Sequence, residues 1–404
     1  MEIPIWTEKK LKIKNNNPKT KTTMKQIMYL LAAAALAVSC TESEVLVDTE
    51  NPVPEQPARI GFATFVNKST RATGQNSTNL NDFYPTFNVY GWKTVGNGTS
   101  DVFNNVTVGY YDAEADAEPE DGSYIPGAEW GDDIETGWYY DNVRYWDNMA
   151  TSYQFSAYTP APAGVAIDCE SDGTITIGTA NAPVTVDGTN LMDDPAESLA
   201  FTGFVTDYMT ATSTSSTSPV TLNFQHLQAK LNIRIKLDDS IITAQDVSVQ
   251  KIEVYNLGDK GYYTNAVDAN GKAAGVSGWT ITECSDQYVP TADDVYSLNA
   301  NTNFHNHYVL EQLIIPQTID KYTGNDLPSL SEYDEACIYV EYTIGSETFK
   351  SYSPLANIFT DETTYSFEGG KQYTVNITVG PKPIEFEPNV KEWTTAIEKA
   401  LDME

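Results

Sequence analysis

Val220–Leu237 reads VTLNFQHLQAKLNIRIKL. Apolar and polar residues alternate along most of it, the period of a strand with one buried face. FQHLQAKL in its middle also hints at helical spacing, as does TTAIEKALDME near the C terminus. Taken as strand, the stretch makes the protein all-β, because its surroundings have the same pattern. RIGFATFV, PTFNVYGWK and TSYQFSAYTP precede it, and VQKIEVYNL, HYVLEQLIIPQ, ACIYVEYTI, ETFKSYSP and KQYTVNITVG follow. Most of these alternate and are bounded by Gly, Asn, Asp or Pro. Many short strands with such turns predict β-sandwiches, two in series. The low-complexity run TATSTSSTSPV is the best candidate for the break between them.

The chain has 404 residues, 41% of them hydrophobic, with 25 Tyr, 14 Phe and 7 Trp, enough for two domains with sizeable cores. Its formal net charge of −32 excludes nucleic acid as a partner, since the chain could not displace counterions from phosphates. High acidity suits a protein facing the exterior, where self-repulsion limits aggregation. MKQIMYLLAAAALAVSC, from Met24 to Cys40, has a basic start, a short apolar run and small residues before the cysteine. That is a lipoprotein-type secretory signal, too short to span a bilayer, with Leu36 four residues before Cys40 as a relaxed feature. Residues 1–23 are polar and Lys-rich and precede a natural start at Met24. ENPVPEQP, Glu50–Pro57, is a proline-rich linker. With Cys40 lipidated, Cys169, Cys284 and Cys337 remain, an odd set that gives no disulfide framework but allows one bridge.

Catalytic chemistry is not readable in the chain. His305 and His307 could share a strand face, but no Cys or third His is nearby, so surface histidines are the better reading. His226 sits in an apolar segment and reads as a buried, hydrogen-bonded core residue. Asp132-Asp133 and Asp193-Asp194 are ordinary in so acidic a chain, and adjacent strand residues face opposite ways. The acidic loop from Asp112 to Asp121 lacks the spacing of a calcium loop. No nucleophile elbow, HExxH or phosphate loop occurs. The expectation is a non-enzyme with no cofactor and no metal.

Several stretches taken together resemble the fimbrillin family, the subunits of type V pili. They are the signal ending at Cys40, STRATG, FNVYGW and WYYDNVRYWDNMATSYQFSAYTP, then DYMTATSTSSTSPVTLNFQHLQAKLNIRI, LIIPQ and the late YTVNITV with VKEW. Departures are Asp147 in YWDN, where the family often has Pro, and the long acidic loop after Tyr110. The resemblance implies two β-sandwich domains of transthyretin-like, Greek-key type. It also implies a pilin, of stalk or tip, exported as a lipoprotein to the outer membrane surface and supporting adhesion. A trypsin-like surface protease then cuts after an arginine, and subunits polymerise by donor-strand exchange. Arg71, followed by small Ala72 on a polar segment, fits that cut.

On this reading the chain divides as follows. Residues 1–39 are upstream residues and signal, 40–58 a tether, and 59–71 a removable strand with Ile60, Phe62, Thr64 and Val66 inward. Residues 72–215 and 216–393 are the two sandwiches, and 394–404 is a tail. Losing the first strand would open a groove for a donor from another subunit. Ile384, Phe386, Val390 and Trp393 in PKPIEFEPNVKEW form a candidate donor, although the same segment could complete its own sheet. The partners would be other pilin subunits, the protease, the membrane through the lipid before cleavage, and a host or bacterial surface receptor that the residues leave open. The competing reading is a surface glycan-binding lipoprotein, with Trp130, Trp138 or Trp146 as sugar platforms.

Overall fold

The computed structural model describes residues 57–392 apart from 67–78, 115–123, 132–133, 187–188, 192–205, 239–246, 268, 270–272, 285–295, 299–307, 325–334, 361 and 381–384. Cys40, Arg71, Ala72, Asp132, Asp133, Asp193, Asp194, His305, His307, Ile384, Trp393 and the tail 394–404 lie outside the described residues.

The protein is all-β. Its strands begin with β1 (Phe62–Val66), β2 (Thr86–Val95), β3 (Gly98–Tyr111), β4 (Gly137–Tyr139), β5 (Ser152–Thr159) and β6 (Ile167–Cys169). Next come β7 (Ile175–Ile177), β8 (Val184–Thr185), β9 (Thr189–Leu191), β10 (Met209–Thr214), β11 (Val220–His226) and β12 (Ala229–Leu237). β13 (Val247–Tyr255), β14 (Gly258–Thr264), β15 (Trp279–Cys284), β16 (Tyr296–Leu298), β17 (Tyr308–Ile314) and β18 (Gln317–Asp320) follow. β19 (Cys337–Ile344), β20 (Glu347–Pro354), the short helix α1 (Leu355–Phe359), β21 (Thr364–Phe367), β22 (Lys371–Val379) and β23 (Glu385–Glu392) complete the described chain.

One sheet runs β1-β11-β10-β5-β2-β3-β4 and folds around an aromatic-rich core of Phe62, Phe87, Phe103, Trp138, Tyr140, Phe155 and Phe224. A second runs β23-β22-β12-β17-β9 and a third β16-β13-β19-β20. These two share an aliphatic core in which Leu231, Ile233, Val375 and Ile377 meet Val249, Val254, Ile338 and Val340. A fourth sheet, β15-β14-β7-β6 with β8 on β14, holds a core of its own around Trp279, Ile175 and Ile177.

The Ser/Thr-rich run that reads as a break is no linker. Its β-branched threonines form β10, and Ser215–Pro219 turn the chain into β11, which pairs antiparallel with β10. β6, β7 and β8 moreover join β14 and β15, so the sheets do not divide at residue 215. We place the seam at Leu227–Gln228 instead. β11 buries Val220, Leu222, Phe224 and His226, while β12 buries Ala229, Leu231, Ile233 and Ile235. The inward face thus changes from even to odd positions across two residues. The helical hint in FQHLQAKL comes from that slip, and the segment is strand, junction, strand.

Three backbone groups of the junction are held. Leu227 N–H donates to Tyr208 O at 2.9 Å, and Gly370 N–H to Gln228 O at 2.9 Å. The Trp279 indole N–H donates to Leu227 O at 2.8 Å. The Gln228 amide accepts from Tyr208 N–H at 2.8 Å and donates to Thr206 O at 2.6 Å. A Cβ on Gly369 would stand 2.6 Å from Leu227 O, so only glycine permits this approach. Beside it, buried His226 has Nδ1 2.8 Å from Asp207 Oδ2, the hydrogen-bonded core histidine expected from its apolar segment. The variant W279F keeps the ring and leaves Leu227 O without its donor. We expect it to lose about 1–3 kcal/mol of stability in chemical denaturation.

Candidate functional site

The first strand is held along both of its sides. On one side, Ala58 O accepts from Trp146 N–H and Ile60 N–H donates to Arg144 O, each at 2.9 Å, around an antiparallel bridge between Arg59 and Tyr145. On the other, β1 runs parallel to β11, with Phe62 opposite Val220 and Val66 opposite Phe224. Val220 N–H donates to Gly61 O at 2.7 Å. β1 is the edge of its sheet, and its entry segment reaches the opposite side of the curled layer.

Side chains complete the closure. Ile60, Phe62, Thr64 and Val66 are all buried, as alternation predicts. Phe62 enters a box of aromatic rings, with centroids 5.4 Å from Phe103, 5.8 Å from Phe87, 5.9 Å from Tyr140 and 6.1 Å from Phe155. Edge-on packing of this kind adds to the burial energy. A Cβ on Gly91 would come within 2.9 Å of the Phe103 ring, so the glycine leaves room for the box. The Tyr140 hydroxyl donates to Ile60 O at 2.7 Å, and burial pushes its pKa up to about 12, keeping the donor proton in place at neutral pH. Ser218 accepts from Gly61 N–H at 3.1 Å and from the Trp146 indole at 2.8 Å, and its hydroxyl donates to Arg59 O. Thr64 Oγ1 alone fits poorly: it is buried and has no hydrogen-bond partner.

The tryptophans weighed as sugar platforms belong to this core. Trp138 and Trp146 are buried in it, and Trp130 packs on it, donating its indole N–H to Tyr140 O at 2.9 Å. The candidate donor segment lies elsewhere. β23 pairs antiparallel with β22 at the edge of the second sheet, so in this chain it completes its own sheet. Phe386 is partly buried against the aliphatic core, whereas Val390 is 44% exposed. Cys169, Cys284 and Cys337 are free thiols. Among the described residues no cluster of three or more His, Cys, Asp or Glu could hold a metal, and no helix is long and apolar enough to cross a membrane. Sequence reasoning missed Ser218 and Tyr140, the polar groups that grip the strand's start. Nothing local to either residue marks the role, which depends on contacts far along the chain.

Fold and groove define a class: an all-β protein whose aromatic core is completed by an N-terminal edge strand. The fimbrillin-like family model matches residues 70–393, most of the chain, and the protein belongs to that family. Among solved structures, a fimbrial protein from Bacteroides vulgatus ATCC 8482 is similar at 13% identity and a TM-score of 0.42, over 83% of this chain and 99% of that one. The tip fimbrial protein Mfa3 from Porphyromonas gingivalis, with a C-terminal truncation, is similar at 10% identity and a TM-score of 0.38, over 76% of this chain and 94% of its own. No curated protein sequence matches.

Two outcomes follow from the grip on β1. Phe62→Ala empties the aromatic box and should cost about 3–5 kcal/mol in denaturant unfolding. Limited trypsin should leave the Arg59–Ile60 bond intact in the folded chain. The backbone on both sides of it is hydrogen-bonded, and the Arg59 guanidinium is held by Trp130 O at 2.8 Å. Mass spectrometry of the fragments reads this directly, and early cutting after Arg59 would contradict the described grip.

Proposed function

We propose that the protein is a structural subunit of a type V fimbria, stalk or tip. It is exported as a lipoprotein on Cys40, cut after Arg71 by a trypsin-like surface protease, and polymerised by replacement of β1 with a donor strand. Family membership supports the subunit role. The observation that supports the rest is that β1 fills an aromatic groove as an edge strand, with Arg71 a few residues beyond Val66 in the sequence. Cutting there severs β1 covalently from the sheet it completes, and its removal leaves unpaired β11 backbone beside an apolar slot, the chemistry of strand addition. The lipid holds the precursor at the outer membrane until the cut releases it. The net charge of −32 and the absence of a readable catalytic constellation agree with a structural rather than enzymatic part. A surface receptor belongs to the adhesive role of the finished fibre.

Arg71→Ala tests this. The variant should remain full length at the cell surface, retain the lipid label on Cys40, and stay monomeric, with β1 still filling its groove. Immunogold microscopy and a non-boiled gel ladder read the outcome. Fibres assembled by uncut Arg71→Ala protein would refute cleavage as the licence for assembly.

A further inference from the structure

Among the described residues beyond Arg71, every lysine and arginine except Arg144 and Lys321 lies in a strand. β12 alone holds Lys230, Arg234 and Lys236, while Lys93 is in β2 and Lys251 in β13. Backbone paired in a sheet cannot thread into a protease, so these positions are protected by the ladders themselves. Arg144 is held by its side chain. Its guanidinium donates to Asp141 O at 2.9 Å and to Val102 O at 3.2 Å, and it sits over the Phe103 ring. Lys321, on the connection that follows β18, has neither protection.

Asn357 supplies one. Lys321 N–H donates to Thr363 O at 2.9 Å, one step beyond the ladder in which Asp320 faces Thr364. Across the next peptide bond, Tyr322 N–H donates to Asn357 Oδ1 at 2.9 Å, and Asn357 Nδ2 donates to Tyr322 O at 3.1 Å. A carboxamide carries acceptor and donor on one planar group, so this side chain engages both backbone groups of Tyr322 as a neighbouring strand would. A protease reads its substrate as an extended strand, through the backbone groups that flank the bond it cuts. Here those groups are already engaged. We infer that Asn357 shields the Lys321–Tyr322 bond from the class of protease that cuts after Arg71. The use of such a shield rests on the processing reading above, to which it adds how one arginine is cut while this lysine is spared.

The shield is fixed from behind. α1 buries Leu355 and Ala356 in the aliphatic core, Leu355 N–H donates to Ala336 O at 2.8 Å, and Phe359 stacks on Tyr365 with centroids 4.9 Å apart. Asn357 itself is exposed, so its amide serves Tyr322 rather than the core. The bond it covers also divides that core in sequence. Leu231 and Ile233 precede it, and Ile338, Val340, Val375 and Ile377 follow. Hydrolysis there, with water adding across the amide to leave a Lys321 carboxylate and a Tyr322 amine, would cut the covalent path between β12 and its parallel partner β22.

Limited digestion of the full chain with trypsin, followed over time by mass spectrometry, tests the shield. In the unaltered chain, cutting after Arg71 should come early and cutting after Lys321 late. Local opening sets such rates, so losing both hydrogen bonds in N357A should speed the Lys321 cut roughly tenfold or more. The double variant K321Q/N357A should lose that cut. Cutting at Lys93 and Lys251 as well would mark general unfolding of N357A. N357D then gives the reading, because it keeps the acceptor and loses the donor, and its faster cut should be confined to Lys321. Early cutting after Lys321 in the unaltered chain overturns the inference. So does a variant cut there no faster than the unaltered chain. If the unaltered chain resists cutting after Arg71 while the variant opens at Lys321, the processing reading fails and the shield stands.

Discussion

Phe62 reaching the aromatic box is the contact on which the first sheet depends. Phe87, Phe103, Tyr140 and Phe155 come from β2, β3, the segment after β4, and β5, and all four stand around this one ring. Without it the rings face a slot, and interiors at crystal-like density do not keep such voids at low cost. The strand that supplies the ring pairs with β11, which lies far along the chain. It is held by one parallel ladder, a short antiparallel bridge and the hydroxyls of Ser218 and Tyr140. The aromatic core thus depends on a strand at the periphery of its sheet.

The groove wall is anchored at its far end by the junction. β11, which pairs with β1, passes within two residues into β12, the central strand of the second sheet. Leu227 and Gln228 are fixed by Trp279, Gly370 and Tyr208, and buried His226 is fixed by Asp207. The wall against which an incoming strand would pair is thereby continuous with the aliphatic core. Removing β1 exposes the wall without freeing it.

Alternation made most of these strands legible, along with the inward set of β1 and the buried role of His226. Pairing partners were not legible. β1 lies far from β11 in sequence, and parallel pairing has no turn to announce it. The break near residue 215 misled because serine and threonine serve loops and strands alike, and Met209–Thr214 is strand. The slip at Leu227–Gln228 imitated a helix because an even-to-odd change of face places buried residues three apart, as His226 and Ala229 show. β7 and β8 both pair with β14, far along the chain, and nothing in their own residues names that neighbour. Cys40 and Arg71 lie outside the described residues, and the proposed processing at them rests on the sequence.

The balance of forces on β1 suggests how exchange would proceed. Burying each of Ile60, Phe62 and Val66 is worth roughly 1.5–3 kcal/mol, so a cut alone does not release the strand quickly. Thr64 works the other way: an orphaned buried hydroxyl costs about 1–3 kcal/mol, at the middle of the strand. The weak point divides the plug into an Ile60–Phe62 half gripped by Ser218 and Tyr140 and a Val66 half held by the ladder and the buried Val66 side chain. The Val66 half is also the end nearest Arg71 in sequence. Fraying after the cut should therefore begin at Val66 and pause at the aromatic box. An incoming strand would take the Val66 site first and displace Phe62 last, without ever leaving the whole groove empty.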